Sequence, residues 1–180
     1  MAIRPIVYAD NLRLREKSKK VKVFGPALES LAKDMLDSLA DAKGLGLAAP
    51  QIDVHERLIV IDVPEDEEDP QSGQTYILVN PEIVRKEGEQ EAEEGCLSIP
   101  GWYGLVTRAF GVTVKAQSTT GKPLRLKAQG LLARALQHEI DHLDGILFID
   151  RIDNPGKLRK VVPEEEAPQE EGEYVLAATP

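Results

Sequence analysis

Leu136-Gln137-His138-Glu139-Ile140-Asp141-His142 is the stretch on which the reading of this chain turns. It contains H-E-x-x-H. On a helix, residues four apart stack one above the other, so His138 and His142 can close on a single metal ion. Glu139 stands beside the first of them, placed to take a proton from a water on that ion. The bland alternative is a surface helix that carries two histidines by accident.

Context favours the metal. Gly130-Leu131-Leu132-Ala133-Arg134-Ala135-Leu136 leads into the motif. Winding it at roughly 100° per residue puts Leu132, Leu136, Ile140 and Leu143 on one arc, with Arg134, Gln137 and Asp141 opposite. His138 and His142 line up with Leu131 and Ala135 at the border of the apolar arc, and Glu139 falls just inside it. Polar groups at the edge of a buried face need partners. Gly145 is the expected residue just past the helix end. It also stands where a metzincin protease has its glycine, but the third metzincin histidine is replaced by Phe148. The Glu residues downstream all lie in an acidic tail, so a third ligand has to come from upstream.

Upstream, Cys96 is the single cysteine of the chain. A lone cysteine is commonly a small buried apolar residue. Yet Gly95 before it and Ser98-Ile99-Pro100-Gly101 after it describe a turn that presents a side chain. A thiolate there would complete a His₂Cys set with one coordination position left for chemistry. Further upstream, Gly44-Leu45-Gly46-Leu47-Ala48-Ala49-Pro50-Gln51 is small and apolar until a lone amide. It is not a phosphate loop, because the spacing is wrong and no Lys-Ser/Thr follows. Its glycines allow close approach of backbone to a ligand or another segment; a tight helix-to-strand connection is the other reading.

Gly44–Gln51, Glu94-Gly95-Cys96-Leu97-Ser98 and Gln137–His142, taken in order, closely resemble the three signature motifs of the peptide deformylases, over residues 3 to 152. The resemblance implies a cytoplasmic metallohydrolase that removes the N-formyl group from formyl-methionine at the start of nascent polypeptides, releasing formate. By match to the motifs, Cys96, His138 and His142 would hold the metal, Fe²⁺, with Zn²⁺, Ni²⁺ or Co²⁺ able to replace it. Glu139 would be the general base and then the acid for the leaving amine. Gln51 and the backbone N–H of Leu97 would donate to the oxyanion, and the backbone of Gly46 would help fix the substrate. Leu131 and Ala135 are candidate walls of an apolar slot for methionine, and peptide could add beside Gly44–Leu47 as a strand. Ribosome-associated nascent chains are the implied partners. Two features depart from the family: Tyr103 stands where many bacterial members carry arginine, and Lys157, Arg159 and Lys160 are followed by acidic residues, where many members have a basic helix that touches the ribosome. Two rivals remain at this stage: a zinc peptidase acting on unformylated peptides, and a non-catalytic relative that binds formylated chains.

The bulk numbers agree with a single enzyme domain. The 180 residues suffice for one core without staples, and one cysteine permits no intramolecular disulfide. No signal peptide or membrane span is legible. The net charge is −9, but the last twenty residues carry six Glu and no Lys or Arg, leaving 25 acidic against 22 basic residues elsewhere. No basic stripe suggests nucleic acid. Residues 1–160 are expected to form the single catalytic domain, and 161–180 an acidic, disordered tail.

The pattern predicts a helical turn near Leu12 capped by Asp10, and a helix from Pro26 to about Lys43. Strands are expected at Arg57–Val63, Tyr76–Val79, Ile83–Lys86, Gly104–Arg108, Val112–Ala116 and Leu124–Lys127, with a last edge strand at Ile146–Ile149. Strands followed by a ligand-bearing helix give an α+β fold, with antiparallel strands packed around a central metal-binding helix.

Overall fold

The computed structural model describes residues 2–161. The expected tail lies outside these residues apart from Val161. Helix α1 (Pro26–Asp41) starts with Pro26 in its first turn, where a missing N–H costs nothing. Leu28, Ala32, Met35 and Leu39, at helical spacing, form its buried face. Asp34 and Ser38, also buried, tie down the N-terminal segment: Arg4 donates to Asp34, and the Arg4 N–H donates to Ser38 Oγ at 2.8 Å.

An antiparallel sheet of five strands follows, in the spatial order β1 (Gly46–Ala48), β2 (Leu58–Asp62), β3 (Thr75–Glu87), β6 (Gly111–Gln117), β7 (Pro123–Gln129). β2 shows why it is central. Successive side chains point to opposite faces, so Leu58 and Val60 join the cluster beneath α1, while Ile59 and Ile61 join the cluster beneath the second helix. A smaller antiparallel sheet contains β4 (Gln90–Cys96), β5 (Ile99–Arg108) and β8 (Leu158–Lys160). Helix α2 (Gly130–Leu143) carries the H-E-x-x-H segment. Its apolar arc packs on the large sheet. Arg134, Gln137 and Asp141, on the far side, are buried as well, and bond to β4, β5 and the residues that follow them. Both faces of α2 are therefore covered, and the fold is the expected α+β arrangement around a central helix.

Gly145 ends α2 in the left-handed region (φ 74°), with its N–H bonded to the His142 carbonyl and the Ile146 N–H to the Asp141 carbonyl at 2.9 Å. This paired closure satisfies carbonyls that the helix leaves free.

Several local expectations are corrected. The turn at Leu12–Arg15 is capped by Asn11, whose side chain accepts from the Arg13 N–H at 3.0 Å, and not by Asp10. Tyr76–Val79 and Ile83–Lys86 are one strand, β3. It runs through Asn80-Pro81 with a register shift, and the Asn80 side chain bonds both the N–H and the carbonyl of Val21. Ile146–Ile149 is no strand; a short 3₁₀ helix forms at Phe148–Arg151, where Asp150 accepts from the Leu147 N–H. The acidic run before Cys96 hides β4, because Glu91 and Glu93 find cations on the last segment: Lys157 and Arg159.

Candidate metal centre and active-site cleft

The site is assembled from three segments. α2 supplies His138 and His142, one turn apart, with ring centroids separated by 5.0 Å. The β4–β5 hairpin supplies Cys96, whose Cα pairs with Ile99 across a two-residue turn made of Leu97 and Ser98. The segment of β1 and the 3₁₀ turn Ala49–Ile52 supplies Gly46 and Gln51. Cys96 Sγ lies 3.3 Å from His142 Nε2, and one donor atom from each of Cys96, His138 and His142 lies within 4.8 Å of the other two. Around a tetrahedral ion with metal–S and metal–N bonds of ordinary length, ligand atoms stand roughly 3.3–3.6 Å apart. The three donors fit such an ion after sub-ångström to ångström adjustment. Among the described residues this set holds three donors, the number that leaves a fourth position for water or substrate.

Glu94 organises the centre. Buried, it accepts from Arg108 Nε at 2.6 Å and Nη2 at 2.9 Å, from Arg134 Nη1 at 2.7 Å and from His138 Nδ1 at 2.9 Å. With Nδ1 engaged, His138 has Nε2 to offer a metal. Burial alone would raise the Glu94 pKa, but the bonds from His138 and Arg108 outweigh it and hold the carboxyl at about 2. Burial likewise works against a charged His138, and its contacts with Cys96 and Glu94 overcome it, raising the group to about 10. His142 is pushed well below its ordinary value by burial and by the neighbouring His138. Arg108 also reaches Asp141 at 2.7 Å, and Arg151 closes on the same carboxylate. The position where a metzincin has its third histidine instead packs Phe148 against His138, ring centroids 6.2 Å apart.

Glu139 is buried beside the histidines, and its Oε2 has no hydrogen-bond partner among the described residues. Desolvation raises its pKa to about 7, which is where a group that must both accept and return a proton should sit. The carboxylate packs directly on Gly46: a Cβ at that position would lie 2.5 Å from Glu139 Oε1. The glycine-rich stretch thus contains an edge strand in which Gly46, without a side chain, admits Glu139, and both sequence readings of it hold in part. Gln51 is buried with its Oε1 accepting from the Ala48 N–H at 2.8 Å, which turns its Nε2 toward Ser98 Oγ (3.2 Å) and Cys96 Sγ (3.6 Å).

A cleft of about 480 Å³ opens over these groups between β1 and the β4–β5 hairpin. Gly46, Gln51, Cys96, Leu97, His138 and Glu139 all border it. Leu131 stands at its mouth, 41% exposed, whereas Ala135 is turned into the core against the large sheet and is no wall of the cleft. Glu94 in its buried role, Arg108, Arg134 and the buried hydroxyl of Ser98 were not singled out from sequence. The one available signal was the arginine on the polar side of α2, opposite an apolar arc, in a segment otherwise poor in charge.

A cysteine and two histidines whose donor atoms could hold an ion, with a carboxylate of raised pKa alongside and a cleft above, are the equipment of a metal-dependent hydrolase. Residues 3–158 match the family model described as polypeptide deformylase. The peptide deformylase of Thermomicrobium roseum is 51% identical, with 99% of each chain covered. That of Chromobacterium violaceum is 47% identical over 84% of this chain and 88% of its own. Among solved structures, the peptide deformylase of Legionella pneumophila superposes with a TM-score of 0.79 at 51% identity, covering 87% of this chain and 89% of that one. The Synechococcus elongatus enzyme, crystallised with actinonin, gives 0.77 at 41% identity, covering 86% and 81%. The chain belongs to the polypeptide deformylase family. It is an enzyme, a metal-dependent hydrolase that removes the N-formyl group from formyl-methionine at the start of nascent polypeptides. No helix among the described residues is long and apolar enough to cross a membrane.

Proposed function

We propose that Cys96, His138 and His142 are the metal ligands of this deformylase, that the native ion is Fe²⁺, and that Glu139 moves the proton. The observation that carries the proposal is the junction of Cys96 Sγ with two helix-borne imidazoles, next to a buried carboxylate with one unpartnered oxygen. When bound, a divalent ion there lowers the pKa of a water to about 7 and polarises the formyl oxygen. The chain's own residues do the rest. Glu139, desolvated and near neutrality, would take a proton from the attacking water as its oxygen adds to the formyl carbon, then return that proton to the amine nitrogen as the C–N bond breaks. Gln51 Nε2 and the Leu97 N–H serve the oxyanion; such donors are typically worth about 3 kcal/mol each. Both are neutral, so they would not compete with the thiolate for charge balance. Gly46 offers backbone from the free edge of β1 to the peptide, and Leu131 borders the methionine side chain. Residues 1–160 form the catalytic unit, which works in the cytoplasm on chains leaving the ribosome.

The test is anaerobic formate release from a formyl-methionyl tripeptide by iron-loaded protein, with Glu139→Ala and Cys96→Ser alongside. Turnover by the parent, a loss of at least about 100-fold in Glu139→Ala with metal retained, and loss of metal in Cys96→Ser are expected. Activity on unformylated peptides that survives Cys96→Ser would favour a zinc peptidase; tight binding of formyl peptide without turnover at full metal content would favour a non-catalytic binder.

A further inference from the structure

The small sheet places three residues in a row on one face: Gly95 on β4, Tyr103 on β5 and Arg159 on β8, each directly opposite the next. β5 is the middle strand, and residues at its start, Tyr103 included, line the cleft together with β4. The ring lies over Gly95, which has no side chain: a Cβ there would lie 2.7 Å from Tyr103 Cε1. On the side of β8, the Arg159 guanidinium sits 5.4 Å from the centroid of the ring. That guanidinium is itself fixed by two bonds to Glu93, at 2.7 and 2.8 Å. Glu93, Gly95 and Tyr103 all line the cleft, and Cys96 follows Gly95 immediately.

We infer that Arg159 is a positioning residue for the peptide substrate, holding the Tyr103 ring across Gly95 so that it walls the cleft beyond the first residue of the substrate. The inference rests on the cleft being the peptide site, as proposed above. Tyr103 is 37% exposed, so solvent alone would leave its side chain free to leave the groove. The guanidinium face and the two bonds to Glu93 remove that freedom. The same pair neutralises Glu93, which would otherwise present a bare carboxylate to the incoming chain. An exposed pair of this kind contributes little to global stability; its effect belongs to recognition. The last described strand is therefore part of the binding surface, although no residue of it touches the metal-ligating set.

The experiment compares formyl-methionine amide with a formyl-methionyl tripeptide on metal-loaded parent, Arg159→Ala, Tyr103→Ala and the double variant, measuring KM and kcat separately. Arg159→Ala should raise the tripeptide KM about 3- to 5-fold, raise the ratio of tripeptide to amide KM by the same factor, and leave kcat on the tripeptide within about 2-fold. The double variant should be no worse than Tyr103→Ala, since the two groups act as one unit, and Arg159→Lys should restore part of the loss. Quenching of Trp102, the single tryptophan and a residue of the cleft wall, gives an independent reading of peptide affinity. A KM ratio unchanged by Arg159→Ala, or additive single variants, would overturn the inference alone. A parent that turns over neither substrate would overturn the assignment of the cleft and the inference with it.

Discussion

Glu94 Oε2 accepts from His138 Nδ1 at 2.9 Å, joining a residue of an acidic strand to an imidazole of the proposed metal site 44 positions later in the chain. The same carboxylate is held by Arg108 and Arg134, so three elements meet on one side chain. The orientation of His138 is thereby set by a buried cluster of charges, two of which, Glu94 and Arg134, also border the cleft.

Glu94→Gln should weaken metal binding about 10- to 100-fold, the usual effect of removing a residue that orients a ligating histidine. It should also cost on the order of 3 kcal/mol of stability, because buried Arg134 loses its counter-charge and Arg108 is left with Asp141 alone. Chelator competition and denaturant titration measure the two effects separately. An unchanged metal affinity would mean that His138 is held by packing alone.

Acid should act through the same residue. The folded pKa of Glu94 is about 2, below its ordinary 4.5, so its stabilising contribution is complete above pH 4.5 and is lost as pH falls toward 2. Melting temperature of the metal-free parent should fall steeply over that window, and more gently in Glu94→Gln. Parallel curves would assign acid sensitivity to other carboxylates.

In the proposed metal site, metal and proton would compete for His138. Its pKa in the metal-free protein is raised to about 10, so whatever stability the charged ring supplies is present below pH 6.5 and lost as pH rises through 10. Ligation needs the neutral ring. Cobalt or zinc should therefore bind more tightly at pH 8 than at pH 6, with proton release measurable by calorimetry in buffers of different ionisation enthalpy. Binding that is independent of pH would remove His138 from the ligand set.

Gly46→Ala tests the contact between β1 and the carboxylate. A methyl group at 2.5 Å from Glu139 Oε1 must displace it. The expected result is a fall in kcat of about 100-fold or more, with the fold retained by circular dichroism. Wild-type kcat would show that Glu139 has room to move and that its observed placement is not the one catalysis uses.

Gly145→Ala should destabilise the chain by at least about 2 kcal/mol, since the left-handed conformation penalises any side chain and the added carbon meets the Arg15 carbonyl. Thermal melts give the number. A shift smaller than a degree would mean that the end of α2 can refold around the substitution.

Local rules account for what was legible in the sequence. Pro26 and the spacing of Leu28, Ala32, Met35 and Leu39 determined α1, and H-E-x-x-H with Gly145 determined α2, its ligand face and its end, because helix periodicity and caps depend on neighbours within a turn or two. The three motifs in order marked the family. Sequence by itself could not say that an acidic run forms β4, that Asn80-Pro81 leaves β3 unbroken, or that the polar side of α2 is buried, since each depends on a cation, an amide bond or a sheet from a distant part of the chain. Tertiary structure alone decided that Glu94 faces inward while Glu91 and Glu93 face Lys157 and Arg159, and that Glu139 rests on Gly46. The physical reason is the cost of burying charge: Glu94 can lie beneath the site only because Arg108, Arg134 and His138 converge on it, and that convergence exists only in the folded chain.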